Sequence, residues 1–325
     1  MKTNRTQIDN NLTHNVFGPV PSRRLGRSIG INNIPPKICT YGCIYCQVGR
    51  TTHFTVHRQP FYDPNELLDL VREKVNYFEW AGESIDALTI VPDGEPTLDS
   101  QLGALIYGLK NFNIPVAVIT NASLLWMPSV RNDLLAADWV SLKIDAVSET
   151  LWRKINRPAR DLSFQAVLEG MNIFASEFGG TLMTESMFIQ GLNEHLSHAR
   201  VLAEFIAQVN PRIAYIAVPT RPPAVGSIQA ADGETLTRIF HLFETAGLNA
   251  EYLIGYEGNA FSSTGDAKND LLSITAVHPM RHDAVKALLR RNKASWRVVD
   301  DLVTEKQLLK IEFDNFVYYA RQSRT

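Results

Sequence analysis

Between residues 87 and 254 the chain alternates short, mainly apolar runs with longer stretches of helical period. The runs at 87–91, 116–120, 139–144, 181–189, 213–218 and 251–254 are apolar on both faces and read as buried strands. The stretches 102–110, 128–136, 164–178, 196–208 and 234–246 read as helices, the last closed by Gly247 as its C-cap. Upstream, 17–34 is rich in Gly, Pro and Arg and holds one apolar run, 28–32. It predicts an irregular lead-in and then a strand. Asp63-Pro64-Asn65-Glu66 is a helix start: Asp caps, Pro sits in the first turn and Glu follows three residues after the cap. That helix runs to about Trp80, with Leu67, Leu68, Val71 and Val75 on one face. Strands alternating with helices predict a parallel sheet covered by helices, in the manner of an open or closed β/α barrel. In such folds the site lies at the C-terminal strand ends.

After residue 261 the pattern changes. Residues 262–270 are polar and contain Gly, which predicts a linker. Then come a helix at 282–292 with Ala284, Val285, Leu288 and Leu289 inward, and a second at 295–304 opened by Ser295 as its cap. Two alternating strands, 308–313 and 316–321, flank Asp314-Asn315, a two-residue hairpin signal. Helix, helix, hairpin is a winged-helix pattern. The domain organisation expected is a flexible N-terminus at 1–15, a barrel at 16–261, a linker at 262–270 and a winged-helix-like domain at 271–325.

Composition narrows the class. The chain has 325 residues, 45% hydrophobic and 20% charged, with a net charge of -2, so it is not built to coat nucleic acid or an anionic membrane. The charge is uneven. From His278 onward there are 10 Lys/Arg against 6 Asp/Glu, and before it 22 against 28. No apolar run approaches the ~20 residues of a membrane span, and residues 1–14 are polar and Asn/Thr-rich, unlike a signal peptide.

The three cysteines fall in one run, Cys39-Thr-Tyr-Gly-Cys43-Ile-Tyr-Cys46. Clustered thiols in a chain of this length are not a disulfide framework, which places the protein in a reducing cytoplasm. Three thiolates can hold three irons of a 4Fe–4S cubane and leave the fourth iron open for chemistry. A zinc ion with His53 or His57 as fourth ligand is the competing reading, although structural zinc prefers two separated cysteine pairs.

Cys-x3-Cys-x-Tyr-Cys after the first strand of a β/α barrel resembles the radical S-adenosylmethionine superfamily, with Tyr45 as the aromatic before the last cysteine. The resemblance covers about 16–258. It implies an α/β fold, a partial (β/α)6 TIM-like barrel, here with the small C-terminal winged-helix domain. It implies a 4Fe–4S cluster on Cys39, Cys43 and Cys46, and S-adenosylmethionine as the second cofactor. Asp93-Gly94-Glu95 is similar to the Gly-Gly-Glu segment that binds the methionine amino group, with Asp93 replacing the first Gly. Thr120-Asn121 is similar to a Thr-Asn segment near the cofactor. Ser141-Leu142-Lys143 resembles an Asp-Leu-Lys segment. By that match Lys143 pairs with the methionine carboxylate and Ser141 stands at the ribose, with Asp145 sharing that role. The turn 189–194 and the segment 218–222 are weaker matches to later strand ends.

Residues 17–26 and Cys46-Gln47-Val48-Gly49-Arg50 resemble, more narrowly, the branch related to wybutosine-pathway enzymes. Those use a second cluster, and this chain has no cysteine left for one. The implied reaction is reductive cleavage of S-adenosylmethionine, with an electron from a flavodoxin or ferredoxin, to a 5′-deoxyadenosyl radical that abstracts hydrogen from a substrate. Arg23, Arg24, Arg27 and Arg221 are candidate substrate contacts, as Arg can grip phosphate or carboxylate. His53, His57, Tyr256 and Glu257 are further polar candidates near the strand ends. Three roles stay open for the winged helix: reading RNA or another nucleic acid, binding a peptide, or capping the barrel. An iron–sulfur redox-sensing DNA-binding protein is the non-catalytic alternative.

Overall fold

A computed structural model describes residues 12–255, 261 and 263–322. Tyr256, Glu257, Ser262 and the first eleven residues of the expected leader lie outside them. The elements in chain order begin with β1 (Val16–Ser22), β2 (Gly26–Ile31), β3 (Ile38–Cys39), β4 (His53–Phe54), α1 (Pro64–Trp80), β5 (Ala87–Ile90), α2 (Leu102–Leu109) and β6 (Val116–Thr120). There follow α3 (Pro128–Leu134), β7 (Trp139–Lys143), α4 (Glu149–Ile155), α5 (Phe164–Glu177), β8 (Thr181–Met187), α6 (Leu196–Val209), β9 (Ile213–Ala217), α7 (Gly233–Thr245) and β10 (Ala250–Leu253). The chain closes with α8 (Ala267–Val277), β11 (Met280–Arg281), α9 (His282–Arg291), α10 (Arg297–Thr304), β12 (Leu308–Phe313) and β13 (Phe316–Arg321).

The fold is α/β with a mostly parallel sheet. Its strand order is β1-β2-β5-β6-β7-β8-β9-β10, parallel from β2 onward, with β1 antiparallel at one end. The apolar runs form strands because both faces are covered. Val116, Val118, Val140, Leu142, Ala214 and Ile216 pack under the helices, while Ala117, Trp139, Met183, Tyr215 and Leu253 form a second cluster on the other face. Residues beside β2 and in β10 line one and the same cavity, so the sheet curls around it. The helix at α1 starts where expected: the Asp63 side chain accepts from Asn65 N, and Leu67, Val71 and Val75 are buried. A cap of this kind is worth about 1 kcal/mol. Leu68, expected on the same face, is only half-buried.

Several expectations change. The lead-in is a regular hairpin of β1 and β2 with a register shift, not irregular chain. Residues 12–15, read as part of a flexible leader, are folded: Asn15 is buried and its Nδ2 donates to Asn32 O at 2.7 Å. The polar segment read as a linker ends in helix, since Asp266 caps α8 through Asn269 N. The Asp and Asn that made it look like a linker are a cap and a first turn. The expected Ser295 cap is not made; α10 begins at Arg297 with no side-chain cap. The hairpin turn holds, with Asp314 and Asn315 both at positive φ. The last three helices and β11-β13-β12 share a core of Leu271, Ile274, Met280, Leu288, Val299 and Tyr319, against which Val20 of β1 also packs.

One glycine controls how the pieces meet. Gly94 forms a bridge with Ile38, and a Cβ there would lie 2.0 Å from Ile38 O. The backbone of the cysteine loop therefore lies directly against the loop after β5. We expect Gly94→Ala to lower stability by about 1–3 kcal/mol through forced separation of these loops. Urea unfolding of the two proteins measures this, and equal midpoints would contradict it.

Candidate active site

The cysteine loop is stitched to the strand ends by backbone hydrogen bonds. Lys37 N donates to Asp93 O at 2.8 Å and Glu95 N to Ile38 O at 3.2 Å. On its other side Gly42 N donates to Asn156 O at 2.9 Å and Ile44 N to Ile155 O at 2.9 Å. Cys39, Cys43 and Cys46 thereby open on one cavity of about 280 Å³, near the lower end of small-molecule sites (about 300–1,000 Å³). Tyr45, Asp93, Gly94, Glu95, Thr120, Asn121 and Lys143 line the same cavity.

Glu95 is fully buried and heavily bonded. Its Oε1 accepts from Thr97 N at 3.1 Å and from the Thr97 and Thr120 hydroxyls at 2.6 Å, and its Oε2 accepts from Asn121 N at 2.8 Å. Burial lifts its pKa above the usual carboxylate range, while these donors oppose the rise. Asn121 Nδ2 then reaches Thr40 Oγ1 at 2.8 Å and lies 3.6 Å from Cys39 Sγ. Asp93 is held by Lys37 at 2.9 Å, yet burial wins and pushes its carboxyl up to about 7. Burial also raises the pKa of all three thiols, that of Cys43 to about 12. Asn156 Nδ2 lies 3.4 Å from Cys43 Sγ.

A second polar set lies across the cavity. Lys143 Nζ donates to Glu185 Oε1 at 2.8 Å, its β8 neighbour in register, and lies 3.8 Å from Asp145 Oδ1 and 4.7 Å from the centre of the Tyr45 ring. Arg24 bonds the other Glu185 oxygen at 2.5 Å. Burial would raise Glu185, but Lys143 and Arg24 outweigh it and hold the carboxyl at about 2. Burial likewise lowers Lys143, and Glu185 and Asp145 more than reverse this.

The expected residues are not all brought together. Ser141 and Asp145, expected at the ribose, do not line the cavity. Ser141 shares an inward face with Lys143 but sits two residues deeper and is buried. Asp145 is committed: Oδ2 accepts from Tyr45 OH and from Asn156 Nδ2 at 2.7 Å, and Oδ1 from Met187 N at 2.8 Å. Arg27 bonds Glu83 outside the cavity. Arg23, Arg24 and Arg221 do line it, Arg221 donating to Gln47 Oε1 at 2.7 Å and lying 2.9 Å from His278 Nε2. His53 and His57 are exposed. Among the described residues no three His, Cys, Asp or Glu side chains gather tightly enough for a single metal ion. A cubane takes its thiolates at separate corners, and three soft sulfur donors facing one cavity fit that group. Lys37, Gln47, Asn156, Glu185 and Val277 were missed. An acid in a run otherwise read as an apolar strand is the one signal that could have found Glu185.

Comparison with known proteins agrees with this geometry. A profile of the Radical SAM superfamily matches residues 33–203, more than half of the chain, and the chain belongs to that superfamily. A UPF0026 protein of Methanocaldococcus jannaschii is 43% identical over 311 residues, 95% of this chain and 96% of its own. A UPF0026 protein of Helicobacter pylori is 26% identical over 309 residues, 94% of this chain and 97% of its own. In fold the chain is similar to a radical SAM methyltransferase of Sphaerobacter thermophilus, with TM-score 0.50, 15% identity, and 70% of this chain and 66% of that one covered. It is also similar to Streptococcus suis SuiB bound to precursor peptide SuiA, with TM-score 0.51, 13% identity, and 67% and 47% covered. Radical SAM proteins work with a 4Fe–4S cluster and S-adenosylmethionine, and these are the cofactors of this chain.

Glu185 gives a test. Its depressed pKa means it stabilises the fold above the ordinary carboxylate value of 4.5, and that contribution is lost as pH falls through about 2. Glu185→Gln leaves Lys143 and Arg24 without their counter-charge and should cost about 3–5 kcal/mol at pH 7. The deficit should narrow between pH 4.5 and 2. Urea titrations at pH 7 and in that acid window measure it; a deficit that grows on acidification would refute the assignment.

Proposed function

We propose that the cavity is the cofactor and reaction site of a radical SAM enzyme that abstracts hydrogen from a substrate bound between the strand ends and the C-terminal unit. The observation that carries it is the opening of all three thiols, the Gly94-Glu95 turn, Asn121 and Lys143 onto one cavity. When bound, the cluster would supply the electron for reductive cleavage of the sulfonium C–S bond of S-adenosylmethionine, the radical chemistry by which hydrogen would be taken from the substrate. The residues bind, orient and exclude water. Cys39, Cys43 and Cys46 hold the cluster. The Asp93–Glu95 turn presents backbone and carboxylate to the methionine ammonium, and Lys143, with its direction fixed by Glu185, faces the methionine carboxylate. Asp145 acts by fixing Tyr45 and Asn156 beneath the cysteine loop and has no free oxygen for the ribose. Oxidised thiols hold no cluster, so the reading implies a reducing cytoplasm. Among the described residues no helix is long and apolar enough to cross a membrane.

The C-terminal unit is proposed to be a winged helix, from its order of helices and its β11-β13-β12 sheet. Three roles were open for it. As a nucleic-acid reader it would insert α10, but that helix turns Asp300 and Asp301 to solvent, with Arg297 only 3.8 Å from Asp301. That face repels phosphate. Its contribution to the cavity wall is direct: Val277 lines it, Gln47 Nε2 donates to Val277 O at 3.2 Å, and Tyr318 OH donates to Thr220 O at 3.1 Å. We therefore favour the wall. A peptide reading keeps one observation in its favour, since β12 is an edge strand open to addition of another strand.

Anaerobic reconstitution with iron and sulfide, then dithionite and S-adenosylmethionine, should yield 5′-deoxyadenosine, and Cys43→Ala should yield none. Product from that variant would sink the reading. RNA binding should be weak, with a shallow dependence on salt; a steep slope would restore the nucleic-acid role.

A further inference from the structure

The outer face of the cysteine loop carries a feature that the cofactor site does not use. Strands β3 and β4 pair in parallel, and Phe54 stands opposite Cys39. Its ring is 48% exposed and lies over Gly42, where an added Cβ would come within 2.7 Å of it. The segment after α4 covers the rest of this face. Gly42 N donates to Arg157 O at 3.1 Å, and Ala159 N donates to Thr40 O at 2.8 Å. Phe54, Arg153, Arg157, Pro158 and Arg160 line an open groove that shares no lining residue with the cavity. All three arginines are exposed. Asp161 also lines the groove, and Arg153 pairs with Glu149 at 2.7 Å. Among the described residues Arg157 and Arg160 form no ion pair.

We propose that this groove docks the electron donor, a small acidic one-electron carrier protein of the flavodoxin kind. The proposal rests on the radical SAM reading, because that chemistry needs an electron from outside. Position favours a carrier over other anions. The exposed ring is the cross-strand neighbour of one cluster-binding cysteine, and the groove wall is bonded by backbone to the loop that holds all three. Because the groove and the cavity have separate linings, carrier and substrate bind together without competing. Charge agrees: the chain before His278 is acidic, with 22 Lys/Arg against 28 Asp/Glu, so three arginines on this face are a local reversal. A basic rim around an apolar centre is how charge-steered protein interfaces are built. The step itself is simple. One electron leaves the carrier, which is oxidised by one unit, and enters the cluster, which is reduced by one; no bond forms or breaks in this chain.

The test compares the reconstituted enzyme with its Arg157→Glu/Arg160→Glu and Arg157→Lys/Arg160→Lys variants. Calorimetric titration with oxidised flavodoxin gives Kd, and stopped-flow bleaching of the cluster by flavodoxin hydroquinone gives the transfer rate. Charge reversal should weaken binding and slow transfer by at least about tenfold, with the loss shrinking at high salt. The Lys variant should stay near the wild type, and 5′-deoxyadenosine formed with dithionite should be unchanged in all three proteins. Unaltered flavodoxin binding and transfer in the Glu variant, or a loss of RNA binding in place of flavodoxin binding, would overturn the proposal. Absence of dithionite-driven product from the wild type would instead remove the radical reading and the proposal with it.

Discussion

A buried carboxylate ties the site together. Glu95 sits beyond the end of β5, yet both its oxygens accept from donors of its own turn and of the end of β6. An uncompensated carboxylate at this depth would cost several kcal/mol, so the two strand ends are obliged to stay together. Asn121, positioned by this bond, then reaches across to Thr40 and the Cys39 sulfur. The cysteine loop has almost no regular structure of its own. Its shape is set by what it leans on: Gly94 on one side and the Asn156–Ala159 segment on the other.

Beneath this runs a second chain of polar contacts, from Arg24 through Glu185 and Lys143 toward Asp145, and from Asp145 through Tyr45 and Asn156 to the Cys43 sulfur. It connects the β1–β2 turn, β7, β8 and the cysteine loop. The charges alternate in sign, and each is fixed by its neighbours before any ligand arrives. Such a network holds cavity-facing groups in place at little reorganisation cost.

Much of this was legible in the sequence. The seven parallel strands could be read because their runs are mainly apolar, and a run such as 116–120 has no helical alternative at that length. The cysteine loop, the Gly94-Glu95 turn and Lys143 were reached through their resemblance to short family motifs, each contained in a few consecutive residues. What could not be read depends on register and on distant contacts. Glu185 faces Lys143 only because β7 and β8 pair with those two residues in line, and no spacing along the chain reveals that. Asp145 looked available for a ligand until Met187, Tyr45 and Asn156 were seen to occupy it. The groove around Phe54 brings residue 54 to residues 153–161, a distance in sequence that no motif spans. Polar residues at 262–270 looked like a linker because caps and linkers use the same amino acids.

The central claim is that the three thiols and the turns around Glu95 and Lys143 form one cofactor cavity. An iron-edge anomalous map from crystals of the anaerobically reconstituted protein, soaked in S-adenosylmethionine, tests it most directly. The expected result is one four-iron cluster held by Cys39, Cys43 and Cys46, with the methionine end of the cofactor between the Asp93–Glu95 turn and Lys143. A single metal ion at the cysteines, or a cofactor bound away from that turn, would contradict it.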